Sequence, residues 1–210
     1  MSRITSTSKC RLCRAEGIKL FLKGARCYSA KCPLEKKGAV PPGMHGVKRA
    51  KKPSDYGLQL RAKQKAKRTY GVTETQFKNY YQKAKKLKGQ VGDNLIILLE
   101  KRLDNVVYAS GLASSRSQAR QLVSHRQVLV NDQKINIASY SLKSKDIITL
   151  TPAALARTKD SLRLAEKDFS PPPWLDVSKT KATVTVSGEP DPSSTSTTFD
   201  VNLIIEYYSR

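Results

Sequence analysis

Ser115-Arg116-Ser117-Gln118-Ala119-Arg120-Gln121-Leu122-Val123 leads, after Ser124-His125-Arg126-Gln127, into Val128-Leu129-Val130-Asn131-Asp132-Gln133-Lys134-Ile135-Asn136-Ile137. The first stretch reads as a helix. Ser115 followed three residues later by Gln118 is a capping box, and Ala119, Leu122 and Val123 recur at the spacing of one buried face. The second reads as a hairpin, two short runs with β-branched residues around the polar turn Asn131-Asp132-Gln133. Upstream, Val106, Val107 and Tyr108 precede Gly111, a residue suited to ending a helical turn. Downstream, Asp146 to Leu150 adds a strand. The order helix, helix, hairpin implies an α+β fold.

Outward from this centre the signals are mainly helical. Ser54 caps a helix starting at Asp55 and ending before Gly71. Thr73 and Gln76 form a second capping box, and Phe77, Tyr80, Tyr81, Ala84 and Leu87 follow at helical spacing. Such an aromatic stripe is a core face more often than a base-stacking surface. Asp93 is expected to cap a helix carrying Leu95, Ile96, Leu98, Leu99 and Leu103. On the other side, Thr151-Pro152 starts a helix through about Lys167, which Pro171-Pro172-Pro173 cannot extend. Beyond it lie a strand candidate at Lys181 to Val186, a Pro/Ser/Thr-rich stretch from Gly188 to Thr198, and an apolar run from Val201 to Tyr208 that should be docked.

The 210 residues carry 39 Lys and Arg against 17 Asp and Glu, a formal charge of +22, and this surplus is localised. Residues 1–90 hold +20, residues 91–150 hold +3 and residues 151–210 hold −1. A chain this polarised repels itself at one end unless it meets a polyanion whose counterions it can release, and nucleic acid fits. An anionic membrane would require bulky apolar residues opposite the cations, yet the run Arg61 to Arg68 offers only Ala62, Gln64 and Ala66 there. No stretch approaches the length of a membrane span, the densest apolar run being Leu95 to Leu99. The N-terminus has no apolar leader, so a cytoplasmic location is expected.

All four cysteines, Cys10, Cys13, Cys27 and Cys32, lie in the first 32 residues as C-x2-C and C-x4-C pairs. Two close pairs across a short loop can converge four thiolates on a tetrahedral ion, and Lys9, Arg11, Arg14, Arg26 and Lys31 would offset the charge of that centre. Two disulfides are the competing reading, which a cytosolic chain would not ordinarily keep. Zinc is expected, with an iron-sulfur cluster as the alternative cofactor. Four protein ligands leave no open coordination position, so the role would be structural. His45, within Pro41-Pro42-Gly43-Met44-His45-Gly46, is expected to be a loop residue rather than a ligand.

The stretches Arg102-Leu103-Asp104-Asn105-Val106-Val107-Tyr108, Ala113-Ser114-Ser115-Arg116 through His125, and Val128-Leu129-Val130-Asn131 resemble small-subunit ribosomal protein four of bacteria. The likeness extends to Tyr70-Gly71-Val72, Leu98-Leu99-Glu100, Pro172-Pro173-Trp174-Leu175 and Ile205-Glu206-Tyr207-Tyr208-Ser209-Arg210. It covers nearly the whole chain, and the four-cysteine start is similar to the metal-containing branch of that family. The resemblance implies a mainly helical lobe, an inserted helix-helix-hairpin RNA-binding module and a small N-terminal metal knuckle. The expected segments are 1–45 for the metal knuckle, 46–100 for the helical rRNA-binding lobe, 101–165 for the module, and 166–210 packing back on the helical lobe. It further implies a structural constituent of the small ribosomal subunit that binds rRNA of the five-prime domain early in assembly. Ribosomal protein five, other small-subunit proteins and mRNA would lie nearby, and translational accuracy would be affected. Two departures stand out: Arg126-Gln127 replaces a glycine-containing turn, and Asp132-Gln133 replaces Asn-Gly at the hairpin tip.

Arg116 and Arg120, four apart on one helix face near its N-terminus, match basic positions of that module and are the first expected phosphate contacts. Arg102, Arg126, Lys48, Arg49, Lys51, Lys52, Arg61, Lys63, Lys65, Lys67 and Arg68 follow. No enzyme is expected: there is no nucleotide-binding glycine loop, neither histidine has an evident catalytic partner, and Arg102-Leu103-Asp104 reads as a helix-borne ion pair. The competing non-enzymatic reading is an RNA-binding regulatory or antitermination factor outside the ribosome.

Overall fold

The computed structural model describes residues 8–46, 52–158, 162–163, 169–178, 182–195 and 198–209. The chain forms two compact units, one from Met1–Gly92 with Thr197–Arg210 and the other from Asp93–Ser196.

The first unit begins with α1 (Lys9–Glu16), ended by Gly17 at φ 71°, a 3-10 turn at Gly24–Cys27, and α2 (Pro33–Lys37), whose proline sits at the helix start. The longer α3 (Asp55–Tyr70) is capped by Ser54, whose hydroxyl accepts from the Gly57 amide at 3.2 Å, and closed by Gly71 at φ 63°. The α4 helix (Glu74–Lys86) has the expected reciprocal capping box between Thr73 and Gln76. A cap of this kind stabilises a helix by about 1 kcal/mol. Of the expected stripe, Phe77, Tyr81 and Ala84 turn into the core, while Tyr80 is half-buried and Leu87, just past the helix end, is exposed. α5 (Val91–Glu100), which belongs to the second unit from Asp93 onward, starts earlier than expected, with Asp93 inside the first turn, where an acid still favours the amide end of the helix.

Residues 201–209 return as a helix, called α9 in chain order, and pack on α3. Gly92 permits this docking: a Cβ there would lie 2.9 Å from Cγ1 of Val201. Aromatic contacts complete it, with Tyr208 stacked on Tyr81 at 4.7 Å between ring centres and Phe199 edge-on to Tyr70 at 6.4 Å.

The second unit holds α6 (Leu103–Ala109), α7 (Arg116–Ser124), β1 (Val128–Val130), β2 (Gln133–Ile135), β3 (Ile147–Leu150), α8 (Pro152–Thr158), β4 (Leu175–Ser178) and β5 (Thr183–Val186). Its five strands form an antiparallel sheet in the order β2-β1-β3-β5-β4. Val128, Val130, Ile148, Leu150, Val184 and Val186 point to one side and meet Leu103, Val106, Val107, Ala119, Leu122 and Val123 of α6 and α7 in a single core.

The expected boundary at residue 166 needs correction. β4 and β5 extend the hairpin sheet through β3, so the chain stays with the second unit until Ser196, and only the α9 segment rejoins the first. Alternating Val and Thr at 183–186 gives β5 one buried face, Val184 and Val186, which packs into the core of the second unit. α8 is described to Thr158, and most of its expected continuation to Lys167 lies outside the described residues.

Candidate nucleic-acid interface

The backbone turns left-handed at Arg126, in the first departure, and at the hairpin tip, which is Asn131-Asp132 rather than Asp132-Gln133 because Gln133 already pairs with Val130. Arg126 has φ 57°, Asn131 φ 48° and Asp132 φ 63°. The last two make a two-residue turn with positive φ at both positions, the type that matches strand twist and favours Asn-Gly. Arg126 is held there by a hydrogen bond that its amide donates to the Val123 carbonyl at 2.9 Å, and the residue is exposed.

α7 presents Arg116 and Arg120, but neither stands free in water. Ser115 caps the helix by accepting from the Gln118 amide at 3.3 Å, while the Gln118 side chain reaches back to the Ser114 amide at 2.8 Å rather than to Ser115. Arg116 donates from Nε to Asn105 Oδ1 at 2.8 Å and lays its guanidinium 4.5 Å above the Tyr108 ring. Asn105 in turn donates to the Glu100 carboxylate at 2.7 Å. Arg120 lies 3.9 Å from Asp104 and keeps about a quarter of its side chain exposed. Sequence reasoning missed Arg163, whose guanidinium is 5.3 Å from the same Tyr108 ring and 4.9 Å from Phe169. Only the fold brings it there. The result is a group of half-exposed arginines whose planes are fixed by an amide, a ring and a carboxylate.

Arg102, expected as a phosphate contact, is 1% exposed. It stands at the N-cap position of α6 and forms a bidentate pair with Asp104, Nε to Oδ1 at 3.0 Å and Nη2 to Oδ2 at 2.7 Å. The ion-pair reading of Arg102-Leu103-Asp104 therefore holds, and Arg102 is removed from the contact set because no solvent-borne phosphate can reach it.

The basic run of α3 is also sorted by burial. Lys63 is 4% exposed, donates to Glu74 at 2.8 Å and sits 4.1 Å from the Tyr207 ring centre, so it too leaves the contact set. Burial works against its charge, but bonds to Glu74 and Tyr207 more than compensate and hold its pKa above the ordinary lysine value. Lys67 shares Glu74 at 3.0 Å. Burial would raise the Glu74 pKa, yet donation from Lys63, Lys67 and Tyr208 outweighs it and lowers the value. Arg61 and Arg68 both pair with Glu16. Lys65 is half-buried and Lys52 exposed, while Lys48, Arg49 and Lys51 lie outside the described residues. On α4, Lys78, Lys83, Lys85 and Lys86 are exposed, a cationic face that the sequence shows plainly but that helical spacing alone assigns only to the solvated side.

The thiols of Cys10, Cys13, Cys27 and Cys32 are free, the last three buried. Burial pushes the Cys13 thiol pKa up, and the proximity of Cys27, Cys10 and Cys32 adds to this. The Lys23 amide donates to Cys27 Sγ at 3.3 Å, a bond suited to a thiolate. Among the described residues no three His, Cys, Asp or Glu side chains are grouped as a ready ion site. The all-thiol donor set of Cys10, Cys13, Cys27 and Cys32 fits a soft tetrahedral ion. His45 is an exposed loop residue, as expected. No described helix is long and apolar enough to cross a membrane.

The sequence matches the ribosomal protein S4/S9 N-terminal domain family over residues 5–100 and the S4 domain family over residues 101–148. It is similar to the small ribosomal subunit protein uS4 of Desulfitobacterium hafniense, with 46% identity over 201 residues and 96% of each chain covered. Similar proteins of the same name occur in Syntrophomonas wolfei, at 48% over 211 residues, and Thermodesulfovibrio yellowstonii, at 49% over 212 residues, each with both chains fully covered. With matching domains over residues 5–148 and relatives of nearly half-identical sequence along the full length, the chain belongs to the small ribosomal subunit protein uS4 family.

Proposed function

We propose that this protein is a structural constituent of the small ribosomal subunit that binds its rRNA directly, in the cytoplasm, without catalysing a reaction. The observation that carries the reading is the fixed arginine group of α7, Arg116 with Arg120, in a chain whose first 90 residues hold +20. Folded RNA hides its base edges in a deep major groove and displays phosphates at set angles. Cations oriented before binding suit such a target because little side-chain freedom remains to be given up when RNA docks. Arg126 adds a cation to the second unit, and the α4 lysines with Lys52 and Lys65 give the first unit cationic contacts of its own. The finer reading places the contacts in the five-prime domain early in assembly, beside ribosomal protein five and mRNA, with an influence on accuracy.

Zinc at Cys10, Cys13, Cys27 and Cys32 belongs to the same reading. It is supported by the all-sulfur donor set, the burial of three thiols and the amide donated to Cys27. When bound it would supply a cross-link that folds the first 45 or so residues and fixes the nearby cations.

A salt titration of binding to small-subunit rRNA tests the RNA reading. Arg116→Ala with Arg120→Ala should weaken binding and flatten the log-log slope by roughly 0.7 to 0.9 for each phosphate that is no longer neutralised. An unchanged slope would remove both arginines from the interface. Co-sedimentation with small subunits on a sucrose gradient separates the ribosomal protein from a free RNA-binding regulator.

A further inference from the structure

Only four of the first 90 residues are acidic: Glu16, Glu35, Asp55 and Glu74. Two of them divide the basic run of α3 between them. Glu74 takes Lys63 and Lys67, and Glu16, the last residue of α1, takes Arg61 and Arg68. The Glu16 pairing has an unusual form. Both arginines meet the same oxygen, Oε1, with Arg61 at 3.4 Å. The second oxygen, Oε2, is buried with no hydrogen-bond partner among the described residues. The Glu16 side chain is 0% exposed, whereas Arg61 is 49% and Arg68 23% exposed.

Three penalties meet at Glu16. Its charge is buried, one of its oxygens is unsatisfied, and it lies at the C-terminal end of a helix, where exposed carbonyls already carry negative partial charge. An apolar side chain would fill the same space without them, as buried ion pairs can often be replaced by packed hydrophobic groups. It could not draw two guanidiniums seven residues apart on α3 to one point. Each guanidinium has five donors, and Glu16 engages only one edge of each, so two converged cations share a single buried counter-charge while remaining partly open to solvent.

We propose that Glu16 is a positioning residue for RNA binding, a buried anion that sets Arg61 and Arg68 side by side as one phosphate site. The proposal rests on the RNA-binding reading above and goes beyond it by assigning a role to an acid that RNA itself would repel. Without the pin the same two cations would remain but would be free to swing. Attraction to any RNA would rise while preference for one folded shape would fall.

The test uses the full chain, small-subunit rRNA and an unrelated single-stranded RNA of equal length. Glu16→Gln keeps the volume and removes the charge. For the unrelated RNA the log-log salt slope should steepen by about 0.7, one extra counterion for a single strand. Preference for small-subunit rRNA over the unrelated strand should fall about ten-fold, the scale of one specific interaction. Glu16→Asp retains the charge but withdraws the carboxylate by one methylene, so preference should fall with the slope unchanged; this variant carries the test if Glu16→Gln does not fold. In an Arg61→Gln, Arg68→Gln background neither change at Glu16 should alter the preference further. Folded variants that keep the wild-type preference would overturn the pin alone. A wild-type chain with no preference for small-subunit rRNA would overturn the RNA reading itself.

Discussion

Replacing Arg102 with methionine removes one half of a buried ion pair. Arg102 is 1% and Asp104 3% exposed, and the two share hydrogen bonds of 3.0 and 2.7 Å. Without the guanidinium, the Asp104 carboxylate stays buried with Arg120 at 3.9 Å as its remaining ion-pair partner. Stripping one partner from such a pair costs about 3 to 5 kcal/mol, because the other charge has lost water without compensation. Methionine fills much of the vacated space, so the loss belongs near the low end of that range. The chain has one tryptophan, Trp174, 6% exposed in the same core as Leu103 and Val106, so its fluorescence reports this unit. With a urea dependence of about 2 kcal/mol per molar, a loss of about 3 kcal/mol lowers the midpoint by about 1.5 M. Arg102→Met with Asp104→Leu should recover most of this, since no charge is then stranded. A single-variant midpoint within about 0.3 M of wild type would refute the assignment of Arg102 to structure rather than to RNA.

The hairpin should gain from glycine. Asp132→Gly relieves a positive φ and should stabilise the second unit by about 0.5 to 1 kcal/mol, and an unchanged Trp174 melt would count against the turn assignment. Arg126→Gly should likewise raise stability while flattening the RNA salt slope, and a variant showing only one of these effects, or neither, would show that strain and phosphate binding are not both vested in that residue. Glu74 gives a pH signature. Its carboxyl is held below the ordinary 4.5 by Lys63, Lys67 and Tyr208 despite burial, so its contribution to folding is present above that value and lost as pH falls below it. Glu74→Gln should therefore flatten the stability profile of the first unit below about pH 4.5, measured by circular dichroism; a profile parallel to wild type would contradict this. Chelation should release zinc by elemental analysis, with reduced helical signal and weaker RNA binding. Iron in its place would change the cofactor, and loss of metal without either effect would make the site dispensable.

Much of this structure could be read from local chemistry. The Ser54 and Thr73 caps, the Gly71 stop and the Phe77-Tyr81-Ala84 stripe depend on residues within one or two turns, so sequence alone places them. β4 escaped because Leu175–Ser178 is short and buries little by itself; it becomes a strand only when Thr183–Val186 pairs with it. The site was legible as a charge distribution but not as a set of contacts. Arg102 stands two residues from Asp104, a pair the sequence shows, but its burial comes only with packing, while Lys63 looks like its neighbours until the fold sets it opposite Glu74. Arg163 was invisible for the converse reason, since its partner Tyr108 lies 55 residues away. Along α3, Glu16 and Glu74 divide the cations, and packing between elements decides which acid meets which cation.

Photocrosslinking of the full chain to small-subunit rRNA, followed by mapping of the attached peptides, addresses RNA binding most directly. Crosslinks should concentrate in α4, α7 and the exposed positions of α3, and spare the segment from Leu175 to Val186 with its near-neutral surroundings. Peptides recovered evenly along the chain, or mainly from residues 151–209, would contradict recognition by the N-terminal charge and the fixed arginines.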